Sequence, residues 1–84
     1  MESQEWSLCR LREVADADPG ALARVLERLQ NLNCLPRRVC AEFGTHDLLH
    51  VEVDVAGLSA EQLTLITGKI GQATCVVNAY WHWL

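Results

Sequence analysis

Along the chain the hydrophobic positions switch between a period of two and a period near 3.6, and the switches divide it into alternating strand-like and helix-like segments. Residues 5–15 read as a strand, with Cys9 and Leu11 on one face and Arg10 and Arg12 on the other, although Trp6 and Leu8 blur the alternation. Residues 19–32 place Leu22, Val25, Leu26 and Leu29 on one helical stripe, with Arg24, Glu27, Arg28 and Gln30 largely outside it. Asn31 and Asn33 bracket the end of that helix, and Pro36 blocks its continuation. Val39, Ala41 and Phe43 then alternate with Arg38, Cys40 and Glu42 as a second strand. A turn at Gly44-Thr45-His46-Asp47 leads into the clearest strand of the chain, where Leu49, Val51, Val53 and Val55 alternate with His50, Glu52 and Asp54. Ser59 and Gln62 form an S-x-x-Q capping box, and Leu63, Ile66 and Ile70 recur at helical spacing up to Gly71. Residues 73–82, rich in β formers, close the pattern as a fourth strand.

The order β-α-β-β-α-β predicts an α+β fold, since two right-handed crossovers sharing one antiparallel sheet give the ferredoxin-like βαββαβ sandwich with strand order 4-1-3-2. Both helices then cover one face of the sheet. The other face is open and wet, and strand 2 is a free edge. Eighty-four residues fit a single domain over 1–84, burying roughly 60% of the unfolded chain's surface.

Half the residues are hydrophobic, which excludes wholesale disorder, yet no apolar run approaches the roughly 20 residues of a membrane-spanning helix. Residues 1–5 are acidic and polar, without a basic n-region or an apolar h-region behind them, so the chain is expected to be cytoplasmic and free of the membrane. The net charge of -4 argues against nucleic acid as a partner. All the arginines lie in the first half, balanced there by acids, and the second half sets Lys69 alone against Glu42, Asp47, Glu52, Asp54 and Glu61. Cys9, Cys34, Cys40 and Cys75 show no C-x-x-C pair and read as small core residues of a reducing compartment, with no metal expected.

Candidate chemistry is concentrated at the strand-to-helix turn Ala15–Leu26. Asp18 can accept from the orphan N–H groups of the first helical turn, Pro19 pre-sets φ where no donor is needed, and Gly20 leaves the helix end without a side chain. The N–H groups of Gly20, Ala21 and Leu22 there can face a small carboxylate. His50, Glu52 and Asp54 share one face of strand 3 and admit a metal or acid-base reading, but Arg10 and Arg12 on the adjacent strand are their natural cross-strand partners. His50-Val51-Glu52 also satisfies H-x-E, without the P-C-x-x-C that zinc deaminases need. Trp6, Tyr80, Trp81 and Trp83 are expected to meet at one end of the sheet, as a core cap or as a docking patch.

With order and turn both in hand, the chain resembles the ACT domain family. Ala17-Asp18-Pro19-Gly20-Ala21-Leu22, followed by Ala23-Arg24-Val25, is similar to that family's turn of acid or amide, any residue, Pro-Gly, any residue, Leu, with Ala17 standing in the acidic position. The resemblance implies a non-catalytic regulatory module of amino-acid metabolism, without cofactor, that holds an amino-acid effector at Asp16, Ala17, Asp18, Pro19, Gly20, Ala21 and Leu22. The acid two positions before the proline would contact the effector's ammonium group, which Ala17 does not do, leaving Asp16, a backbone carbonyl or a neighbouring subunit. A lone unit of this length is similar to the short regulatory small subunit of acetolactate synthase and to free-standing ACT proteins. A homodimer is expected, paired along strand 2 into one eight-stranded sheet, with a larger biosynthetic enzyme as a further partner. The alternative is an interaction or assembly domain with a degenerate ligand site.

Overall fold

β1 (Leu8–Ala15) and β3 (Leu49–Ala56) lie side by side at the centre of an antiparallel sheet, with Leu8 opposite Ala56 and Ala15 opposite Leu49. β2 (Arg38–Phe43) pairs outside β3 and β4 (Val76–Trp83) outside β1, so the order is β2-β3-β1-β4, the order expected from the sequence. The computed structural model describes residues 7–84, so residues 5 and 6 of the expected first strand, Trp6 among them, lie outside the described residues. α1 (Gly20–Asn31) and α2 (Ala60–Ile70) supply the second layer. Neither helix is long and apolar enough to cross a membrane.

Alternation decides which residues meet the helices. Cys9 and Leu11 of β1 and Val51, Val53 and Val55 of β3 are buried, and they pack with Val25 and Leu29 of α1 and Leu63, Ile66 and Ile70 of α2. Burying one such leucine side chain contributes on the order of 2 kcal/mol. This interlayer core is what fixes both helix ends in space.

Helix boundaries follow local chemistry. Ser59 caps α2 as a complete capping box, its Oγ accepting from the Gln62 N–H while the Gln62 Oε1 accepts from the Ser59 N–H. α1 ends in a Schellman arrangement with Asn33 at φ 55, the Cys34 N–H donating to Leu29 O and the Asn33 N–H to Gln30 O. Asn33 therefore terminates α1 by itself, ahead of Pro36. Gly71 stays right-handed at φ -66 and α2 runs out through further turn hydrogen bonds, so β4 starts at Val76, three residues later than the sequence pattern placed it. The β2–β3 connection falls on the expected Gly44–Asp47 turn and contains a 3-10 turn over Thr45–Asp47, with His46 at φ 61 and Asp47 at φ 58.

Candidate functional site

The start of α1 is wound by Asp18. Pro19 already has helical dihedrals at φ -58 and ψ -24, so Asp18 stands one residue outside the helix. Its Oδ1 accepts from the Gly20 N–H at 2.7 Å and its backbone O accepts from the Ala21 N–H at 3.0 Å. Two of the three N–H donors that the sequence offered to a ligand carboxylate are thus engaged inside the turn. Asp16 is turned to solvent and anchors the turn through its backbone N–H, which donates to Cys75 O at 2.8 Å.

Beneath this turn, on the helix side of the sheet, is a cavity of about 290 Å³. Ala17, Asp18, Pro19 and Leu22 form one wall, and Ala41 and Phe43 of β2 with Leu49 of β3 form the other. The lining is apolar apart from Asp18. The volume is near the lower end of small-molecule sites, which run from about 300 to 1,000 Å³. Gly20 and Ala21 do not line it, Ala21 being fully buried in the core. The β2 and β3 members were placed correctly on their strands by the sequence, but only the register, Ala41 opposite Val51 and Phe43 opposite Leu49, brings them to the turn.

Gly20 is hemmed in as well as bare. A Cβ there would sit 3.2 Å from Asp18 Oδ1 and 3.2 Å from Arg24 Nη1, tighter than ordinary van der Waals contact. Arg24, one turn into α1, lays its guanidinium against β4's approach and donates through Nη1 to Cys75 Sγ at 3.1 Å.

The opposite sheet face carries a lattice of ion pairs in place of a metal or acid-base set. Arg10 binds Asp54 through two bonds, and Arg12 and Arg38 both reach Glu52 at 2.6 and 3.1 Å. Arg10 and Arg38 hold the Asp54 carboxyl below the usual carboxylate range, the Arg10 hydrogen bond outweighing desolvation, and Glu52 is lowered mainly by its Arg38 hydrogen bond. Asp54 is only 7% exposed beneath Arg10 and Arg38, while His50, Tyr80 and His82 on the same face are exposed, so the face is open as expected. His50 is exposed and stands over Gly44, apart from the carboxylates in role. Arg12 Nε also donates to His82 Nε2 at 3.2 Å, an arrangement that places the His82 proton on Nδ1, facing Trp83 O.

The aromatics divide between faces. Trp81 and Trp83 stack edge-on with centroids 5.0 Å apart, and Trp81 Nε1 donates to Thr64 Oγ1 of α2 while its ring packs on the core. Tyr80, opposite Arg12, belongs to the other face. Trp81 is thus a core cap, and Trp83 lies half-exposed at the rim. The four cysteines are free thiols, Cys9 and Cys75 buried, and burial pushes the Cys9 thiol up to about 11.

One functional-looking group escaped the sequence reading. Glu13 follows Leu11 in the buried phase of β1, is 2% exposed, and among the described residues neither of its carboxylate oxygens has a hydrogen-bond partner. The signal was the alternation itself, which places every second residue of β1 under the helices whatever its chemistry.

A four-stranded antiparallel βαββαβ sheet covered on one face by two helices is the ferredoxin-like sandwich. The sequence matches the ACT-like domain family over residues 2–84, and the chain belongs to that family. No curated protein matches it significantly. The C-terminal domain of the MgtC protein from Mycobacterium tuberculosis has a similar fold, with a TM-score of 0.83 and 12% identity over 100% of this chain and 94% of that one. The ACT domain of GTP pyrophosphokinase from Chlorobium tepidum is similar at a TM-score of 0.71 and 12% identity, over 89% of this chain and 96% of that one. A homoserine dehydrogenase from Thiobacillus denitrificans contains a region similar at a TM-score of 0.75 and 15% identity, over 93% of this chain but 17% of the enzyme. ACT domains are a family of regulatory, ligand-binding modules, and this chain carries an ACT-like domain.

Proposed function

We propose that the domain is a non-catalytic regulatory module that takes a small amino-acid-type effector in the cavity under the first turn of α1. The observation that carries this reading is the cavity's position and lining: an apolar cavity with one anionic residue, Asp18, in its wall. An effector's ammonium group would face Asp18, and its side chain would lie among Leu22, Phe43 and Leu49. The effector's carboxylate finds fewer helix donors than the sequence offered, because Asp18 already takes the Gly20 N–H, and Ala17 leaves the turn one acid short. Affinity is therefore expected to be modest.

A second copy would improve the site. Ala41 and Phe43 lie on the free edge strand, Phe43 65% exposed, so a copy pairing along β2 would cover the cavity's open side. Beside the same edge runs an apolar groove of about 520 Å³ formed by Leu26, Leu35, Pro36 and Val39 with Asn33, Cys34 and Gln30. The reading includes a homodimer and, through it, a larger biosynthetic enzyme as the regulated partner, in the cytoplasm. A thermal-shift screen over the amino acids tests it, since ligand at about 100 times Kd stabilises by roughly 2.7 kcal/mol. A flat screen with a dimer in solution favours the second reading, an assembly domain whose ligand site is degenerate, which Ala17 and the self-capped turn support.

A further inference from the structure

Glu13 stands in the middle of β1 with its carboxyl group between the sheet and both helices. The space beside it is lined by Leu11, Arg12 and Val51 of the sheet, Val25 of α1, and Thr67 and Ile70 of α2, and it has no room for a water-sized sphere; the Arg12 guanidinium is held away by Glu52 and His82. Thr67 offers it no proton, because its hydroxyl donates to the carbonyls of Leu63 and Thr64 in its own helix. β4 presents Ala79 opposite Glu13 and β3 presents Val51, neither titratable, while His50, Glu52, Asp54 and His82 occupy the other face of the sheet. From α1 a single charged group acts on it, Arg24, whose field favours the ionised carboxylate. Arg24 is exposed and, among the described residues, tied only to the Cys75 thiol, a weak acceptor that a carboxylate would outcompete.

We propose that Glu13 is a proton-operated latch between β1 and α1: its neutral carboxyl keeps the layers closed, and on losing its proton to solvent it draws the Arg24 guanidinium off Cys75 and loosens the first turns of α1. An ionised carboxylate cannot remain where it lies, with no donor among the described residues and no room for a water, so α1 must shift or Arg24 must come inward. Burial raises the Glu13 carboxyl from 4.5 to about 7, against the opposing pull of Arg24, which sets the latch to act toward neutral pH. Pro19 and Leu22, which wall the cavity, ride on the same segment. That consequence rests on the effector reading above, but the latch does not.

The test is a pH titration of the full chain by NMR, following the glutamate carboxyl carbons, the Arg24 Nε–H signal and amide exchange in α1. One glutamate is expected to titrate near pH 7 with the Arg24 signal moving at the same midpoint. Opening of α1, corrected for intrinsic exchange, should rise by about tenfold per pH unit between 4.5 and 7 and level off above. In Glu13→Gln, or in Glu13→Leu should the glutamine variant fold poorly, both transitions vanish. Arg24→Gln should move the Glu13 midpoint further up, as the cation that opposes burial is gone. The latch is overturned if every glutamate titrates below about pH 5.5, if the neutral transition survives in the Glu13 variants, or if Glu13 titrates near 7 with Arg24 and α1 unmoved. Because none of these readouts needs an effector, an empty amino-acid screen leaves the latch standing and a failed titration leaves the effector reading standing.

Discussion

Arg10 of β1 grips Asp54 of β3 side-on, Nε to Oδ1 at 2.7 Å and Nη2 to Oδ2 at 3.0 Å, joining the two central strands at directly opposed positions. Two parallel charge-assisted bonds satisfy a carboxylate that the neighbouring arginines have closed off from water. Asp54 is held below its ordinary value of 3.8, so its stabilising contribution is complete above that value and is lost as pH falls through the lowered folded value. Arg10→Ala leaves Asp54 with only the longer Arg38 contact at 3.8 Å. Acid unfolding followed by circular dichroism should then begin at a higher pH than in the native chain, whereas Arg38→Ala should shift it less. Identical acid limbs for Arg10→Ala and the native chain would show that the pair is neutral to stability.

Glu13 acts with the opposite sign. Its folded value of about 7 lies above the unfolded 4.5, so its contribution is fully present below 4.5, declines as pH rises between the two, and is gone above about 7. The swing amounts to as much as roughly 3 kcal/mol. Glu13→Leu removes it and replaces an unpartnered buried acid by an apolar side chain of smaller polarity and similar reach. Urea unfolding at pH 8 should show the variant more stable by about 2 kcal/mol, with the gain shrinking toward pH 5. A leucine variant less stable than the native chain at pH 8 would refute this.

The alternating strands and the Ser59 capping box were legible because each rests on local periodicity or on two residues at fixed spacing. Order and layer arrangement followed from the rules of chain crossover. What stayed hidden depends on contacts between distant segments. Phe43 and Leu49 reach the α1 turn only through the β2–β3 register, and while Arg10 was legible as a cross-strand partner of Asp54, the approach of Arg38 from β2 was not. Glu13 was missed because a charged residue in the buried phase of a strand reads as a blurred pattern, not as a buried acid. The turn itself was half legible: Asp18 as the helix cap and Pro19 in the first helical position follow from residue type, but that the cap competes with a ligand's carboxylate appears only once its bond to Gly20 is seen.

Leu35, 84% exposed, and Val39 stand beside the free β2 edge, where unpaired backbone groups and the groove below them favour a second copy. Leu35→Asp combined with Val39→Asp should convert a dimer to monomer, while Val77→Asp on the β4 edge should not. Light scattering at high micromolar concentration reads the difference. A native chain that is already monomeric there, or a dimer disrupted only by the β4 substitution, contradicts pairing along β2.

The effector site can be strengthened and blocked at adjacent positions. Ala17→Asp adds a second carboxylate to a wall whose one charge is Asp18, and so should tighten binding of whichever amino acid shows a thermal shift, by about tenfold for one added charge-assisted hydrogen bond. Asp18→Ala removes the turn's own anion, freeing the Gly20 N–H, at a cost near 1 kcal/mol of stability from the lost cap. Gly20→Val places a branched side chain where even a Cβ meets Asp18 Oδ1 and Arg24 Nη1 at 3.2 Å, pushing the Asp18 carboxylate toward the cavity and closing it to ligand. Calorimetry on the three variants separates the possibilities by direction: gain, change of anion preference, and loss. Binding by the native chain that is indifferent to Gly20→Val and to Ala17→Asp would place the effector elsewhere on the domain.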